Sequence, residues 1–119
     1  KTPEEYQNVS FDDFVEYSKS MFEYWTEDDF ASSFRKMLTI EQFRSEEMQK
    51  LYQQYLVAGP ASYVKDLFDS MGFTNAKNKA VRFYAVMHFY YSLYDGAEDK
   101  ENVKDEFVSA IKSLVQNLK

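Results

Sequence analysis

Val81-Arg82-Phe83-Tyr84-Ala85-Val86-Met87-His88-Phe89-Tyr90-Tyr91-Ser92-Leu93-Tyr94 is the stretch on which the fold of this chain turns. Wound as a helix, it carries apolar or ring side chains around its whole circumference, and a helix apolar on every side must be covered on every side. Asn75 offers a cap at its start and Gly96 a stop after Asp95. One side of such a helix can face the core of its own domain. The opposite side needs more cover than five amphipathic neighbours readily supply. The segment that follows, with the stripe Val103, Phe107, Ala110, Ile111, Leu114 and Leu118, adds Val108 and Val115 outside that stripe. Two adjacent helices with spare apolar surface predict a two-fold homodimer built through Val86, Phe89, Leu93, Val108 and Val115. The alternative is a monomer in which the fifth helix is simply central.

The rest of the chain also repeats at helical spacing. Phe11, Phe14, Val15, Met21, Phe22 and Trp25 form one stripe, with Ser10 as a candidate cap and Asp12 and Asp13 in the first turn, where the helix dipole favours them. Thr26 reads as the cap of a second helix running to about Phe43 and burying Phe30, Phe34, Met37 and Leu38. Ser45 opens a third helix with Met48, Leu51, Tyr52, Tyr55 and Leu56. Pro60 suits the first turn of a fourth, with Val64, Leu67, Phe68 and Met71, and Gly72 suits its end. A polar connector over 98–102 leads into the sixth. With three Gly and two Pro in 119 residues there are too few turn-makers for an all-β fold. The expectation is an all-α, six-helix bundle forming one domain over 1–119.

Composition narrows the function. A chain of this length can bury roughly two-thirds of its unfolded surface and needs no staple. It contains no cysteine, which excludes disulfides and cysteine metal sites and fits a reducing cytoplasm. No apolar run approaches the roughly 18 residues of a membrane span. The net charge of −6 argues against a nucleic-acid reader within these residues.

Catalytic chemistry is thin. His88 is the single histidine, and its helical neighbours Tyr84, Ala85, Tyr91 and Ser92 make neither a metal site nor a nucleophilic pair with an oxyanion hole. The acidic pairs Asp12–Asp13, Asp28–Asp29 and Glu46–Glu47 fall at helix starts, where dipole support accounts for them. Gly59, Gly72 and Gly96 form no phosphate loop. Neither a cofactor nor a metal is expected, and the chain reads as no enzyme. Eleven Phe, ten Tyr and one Trp, by contrast, supply more ring surface than a minimal core requires. Tyr84, His88 and Tyr91 share one face of the fifth helix and combine ring area with polar tips. Such a face either pairs internally or lines a mostly apolar cavity and orients a small molecule. Phe22, Trp25, Phe34, Leu38 and Tyr63 are the residues expected opposite it.

The segment Phe34-Arg35-Lys36-Met37-Leu38-Thr39-Ile40-Glu41-Gln42-Phe43-Arg44, the continuation Leu51-Tyr52 to Gly59-Pro60, and Phe83-Tyr84-Ala85 leading to Leu93-Tyr94-Asp95-Gly96 resemble the C-terminal domain of TetR-type transcriptional regulators. The similarity covers about 11–118. It implies a cytoplasmic, effector-binding domain that dimerises through its last two helices as a four-helix bundle. DNA would be contacted only through an N-terminal helix-turn-helix head that these residues lack. In that family, effector binding shifts the helix following the head, here the first helix over 11–25. A stand-alone helical interaction module, or a small carrier of lipid or another hydrophobic ligand, is the alternative reading.

Overall fold

The structure, a computed structural model, describes residues 11–118. Six helices account for nearly all of them, with no strand among the described residues: α1 (Phe11–Glu27), α2 (Asp29–Glu41), α3 (Glu46–Leu56), α4 (Ala58–Ser70), α5 (Ala76–Gly96) and α6 (Lys100–Gln116). The expected all-α class holds. None of these helices is long and apolar enough to cross a membrane.

Most helix boundaries follow local chemistry. Ser45 caps α3 as expected, its hydroxyl accepting from the Met48 N–H at 3.1 Å. The α4 end is a Schellman turn, in which Gly72 adopts φ +84° while Phe73 N–H reaches the Phe68 carbonyl and Gly72 N–H the Asp69 carbonyl. The α3–α4 junction is a break between two helices at Val57 (φ −133°, ψ −86°), with Pro60 in the first turn of α4. Gly59 is required there, because a Cβ would lie 1.8 Å from the Gln54 carbonyl oxygen.

Three boundaries differ from expectation. Thr26 does not cap α2; it stays inside α1, its hydroxyl donating to the Phe22 carbonyl at 2.7 Å. Asp28 takes the cap, accepting from Ala31 N–H at 2.8 Å, since its carboxylate is a better acceptor for that end than a hydroxyl already satisfied within a turn. Helix α2 ends at Glu41, not Phe43. Asn75 does precede α5 but in the left-handed region (φ 55°), and its side chain caps nothing. Ser10 lies outside the described residues.

The core has two parts. The larger packs α5 between α4 and α6, with α1 across them. Rings run through it: Phe14 meets Phe68 and Phe83 at 5.7 and 5.3 Å, and Phe22 stacks on Phe107 at 4.2 Å. The smaller part joins α2 to α3 through Leu38, Tyr52 and Leu56. Trp25 packs against both, so a seam separates the α2–α3 pair from the main body. On the other flank Lys104 ties α6 to α1, donating to Glu23 at 3.0 Å and Glu27 at 2.8 Å. The Glu27 hydrogen bond foremost holds its ammonium above the usual lysine range.

Helix α5 is not sheathed by its own chain. Phe83, Tyr84, Met87 and Tyr91 face inward, but Val81, Phe89 and Leu93 are 52, 60 and 40 % exposed. Val86 and Val108 lie half-buried against the core. Val115 departs from the expected interface: it is buried, because α6 turns the row Phe107, Ile111, Val115 inward at steps of four.

Candidate functional site

Two cavities lie along the seam, on either side of Tyr91. Arg35, which α2 buries, lines one of them and bonds to the carbonyl of Trp25, whose residue lines the other. Ala31, Arg35 and Leu38 are the inward residues of that helix, at steps of four and three. The guanidinium is held from three directions. Its Nε–H donates to the Trp25 carbonyl at 2.9 Å, at the end of α1. Its Nη1 and Nη2 donate to Asp95 Oδ2 and Oδ1 at 2.9 and 2.6 Å, at the end of α5. Its Cζ lies over the Tyr91 ring, 5.0 Å from the centroid. Such a fork is both directional and strong.

The first cavity is aromatic, about 270 Å³, and open on one side. Tyr17, Met21 and Trp25 of α1, Tyr55 of α3, Pro60, Tyr63 and Val64 of α4, and Tyr84, Met87 and Tyr91 of α5 form its wall. Tyr84 spends its hydroxyl on structure, donating to the Leu56 carbonyl at 2.6 Å at the C-terminal end of α3. Burial raises the pKa values of both Tyr84 and Tyr91, so each remains a neutral phenol.

The second cavity, about 340 Å³, is the more polar of the two. Arg35, Lys36, Thr39 and Ile40 of α2 line it together with Tyr52 and Leu56 of α3 and His88, Tyr91, Ser92 and Asp95 of α5. His88 Nε2 stands 3.4 Å from the Tyr52 hydroxyl. Burial, and secondarily the Arg35 charge, lower the His88 pKa below 6.5. Folding therefore disfavours the protonated ring. Its contribution to stability is present above the unfolded pKa and is lost as pH falls through that value toward the folded one. His88→Gln should accordingly flatten part of the acid loss of stability as pH falls through and below about 6.5. Urea midpoints of both proteins across that range measure it, and parallel curves would show that the imidazole contributes nothing.

Of the residues expected at a ligand site, the structure brings Trp25, Tyr63, Tyr84 and Tyr91 together around the aromatic cavity, and sets His88 beyond Tyr91 in the polar one. Three others line neither. Phe22 and Leu38 have no exposed surface and are the centres of the large and small core clusters. Phe34 leans on Phe30 and the edge of Tyr55 at the rim of the small cluster. Arg35 and Asp95 lie within the quoted segments but are not among the residues expected at the site. A charge on a helix is assumed solvated by default; the signal was the position of Arg35 between Ala31 and Leu38 on one face.

The acidic pairs stay at helix starts, and no three His, Asp or Glu side chains among the described residues are grouped to hold a metal ion. No protein-family model, curated protein or solved structure matches the chain.

Proposed function

We propose that this chain is the effector-binding and dimerisation domain of a TetR-type transcriptional regulator, without catalytic activity, working in the cytoplasm. The aromatic cavity carries the reading. Its shape and lining suit a small, mostly apolar or aromatic effector, since ligand pockets are largely apolar with a few placed polar groups. Helices α1, α3, α4 and α5 all contribute to its wall. An occupant would therefore press on Met21 and Trp25 of α1, the helix that in the resembled family follows the DNA-binding head. Arg35 grips the Trp25 carbonyl, so the same pressure reaches α2 and the end of α5. DNA is contacted only through a head outside these residues.

A neutral fluorescent probe, N-phenyl-1-naphthylamine, tests the cavity. It should bind saturably, with energy transfer from Trp25, the single tryptophan. Met21→Trp, which fills the cavity from its half-buried edge, should abolish that binding while the helical circular dichroism persists. Binding that is absent, or indifferent to Met21→Trp, would refute the assignment.

Dimerisation uses the outer ridge of α5, where Phe89 and Leu93 stand exposed beside half-buried Val86 and Val108. Phe89→Glu should convert a dimer into a monomer in sedimentation experiments at micromolar concentration, because it would bury an unpaired charge. A dimer that survives places the interface elsewhere. A helical protein-interaction module is the second reading. It is favoured by Phe30, Ile40 and Phe43, which are 75, 77 and 86 % exposed in and just beyond α2.

A further inference from the structure

Going beyond the aromatic cavity, we infer that the polar pocket across Tyr91 is a separate binding site for a small organic carboxylate. Arg35 is already fixed by Asp95, the Trp25 carbonyl and the Tyr91 ring, so a ligand need not order it. A guanidinium has five N–H donors. The Trp25 and Asp95 bonds use three, and the side chain forms part of the pocket wall. Lys36 stands at the same pocket and makes no ion pair among the described residues. The Tyr52 and Ser92 hydroxyls and the His88 ring add neutral hydrogen-bonding groups.

The charge balance selects the ligand class. Arg35 and Lys36 are positive and Asp95 is negative, which leaves one net positive charge around the pocket. A monoanion matches it. A phosphate dianion would face Asp95 without a second unspent cation, and a cationic ligand would face Arg35 and Lys36. Ile40, Leu56 and Tyr91 add apolar lining for the carboxylate's body. At about 340 Å³ the space lies at the small end of ligand pockets, which suits a single ring or a short chain.

Benzoate, with benzyl alcohol as its uncharged counterpart, tests the inference by calorimetry and chemical-shift titration at fixed ionic strength. Benzoate should bind at least about tenfold more tightly than benzyl alcohol, the ratio expected when a neutral hydrogen bond is replaced by a charge-assisted one. Lys36→Gln changes an exposed residue and should fold normally. It and Ser92→Ala should each weaken benzoate several-fold and leave binding of N-phenyl-1-naphthylamine unchanged. Met21→Trp should do the reverse. Equal affinity for the two probes, or benzoate binding that Lys36→Gln and Ser92→Ala spare and Met21→Trp abolishes, would overturn the site. Failure of benzoate while the naphthylamine still binds removes this site and leaves the aromatic cavity standing; failure of both removes the two together.

Discussion

Phe22→Ala should cost about 3–5 kcal/mol of stability, among the largest losses any single truncation in this chain produces. The ring has no exposed surface. It stacks on Phe107 at 4.2 Å and on Tyr91 at 5.6 Å, and meets Tyr94 edge-on at 5.8 Å. Removing it deletes contacts on three sides and leaves a void between α1, α5 and α6, whose other rings are held by their own partners and cannot collapse into it. A domain of this size holds only about 5–15 kcal/mol in total, so the variant would be marginal at 25 °C. Urea unfolding followed by circular dichroism should show a lower midpoint with an unchanged slope. A loss below about 1 kcal/mol would mean that the ring lines accommodating space rather than the centre of the core. Phe34→Ala is the control, since Phe34 is only partly buried at the rim of the small cluster and should cost distinctly less.

The second large effect is expected at Asp95, which looks from its exposure like the less important member of its pair. Asp95→Ala should destabilise the fold by about 3–5 kcal/mol, and by more than Arg35→Met does. The asymmetry follows from which charge is left behind. Without Asp95, the Arg35 side chain, 6 % exposed, keeps its charge with only the Trp25 carbonyl and the Tyr91 ring for company. Without Arg35, the Asp95 carboxylate, 29 % exposed, can turn to water. The double variant should cost less than the sum of the two, because the second substitution removes a charge the first had stranded. Denaturant midpoints for the four proteins of the cycle give the answer. An Arg35→Met loss exceeding that of Asp95→Ala would show that packing of the guanidinium outweighs the burial of its charge.

The pair also explains how the seam stays aligned. It joins residues 60 positions apart in the chain and closes the α2–α3 pair onto the end of α5. The large hydrophobic cluster does this for α1, α4, α5 and α6. At the seam the apolar contacts run through Trp25, and a bidentate pair supplies direction that apolar contact lacks.

The helical character of the chain, its cap at Ser45, the Pro60 start and the Gly72 stop all rest on interactions within a few residues, which is why they could be read along the string; the α2 cap, expected at Thr26 and taken by Asp28, lies two residues further on. The apolar circumference of α5 could be read as well, because periodicity states which side chains share a face. What covers each face is set by how six helices rotate against one another, and a one-dimensional pattern carries no such angle. Phe22 and Trp25 lie on the same stripe of α1, yet packing sends one to the centre of the core and the other to the wall of a cavity. Val115 turned inward for the same reason. Arg35 needed a partner supplied by a distant helix, and only when α2 lies against the end of α5 does a charge on an inward face find the carboxylate that makes its burial tolerable.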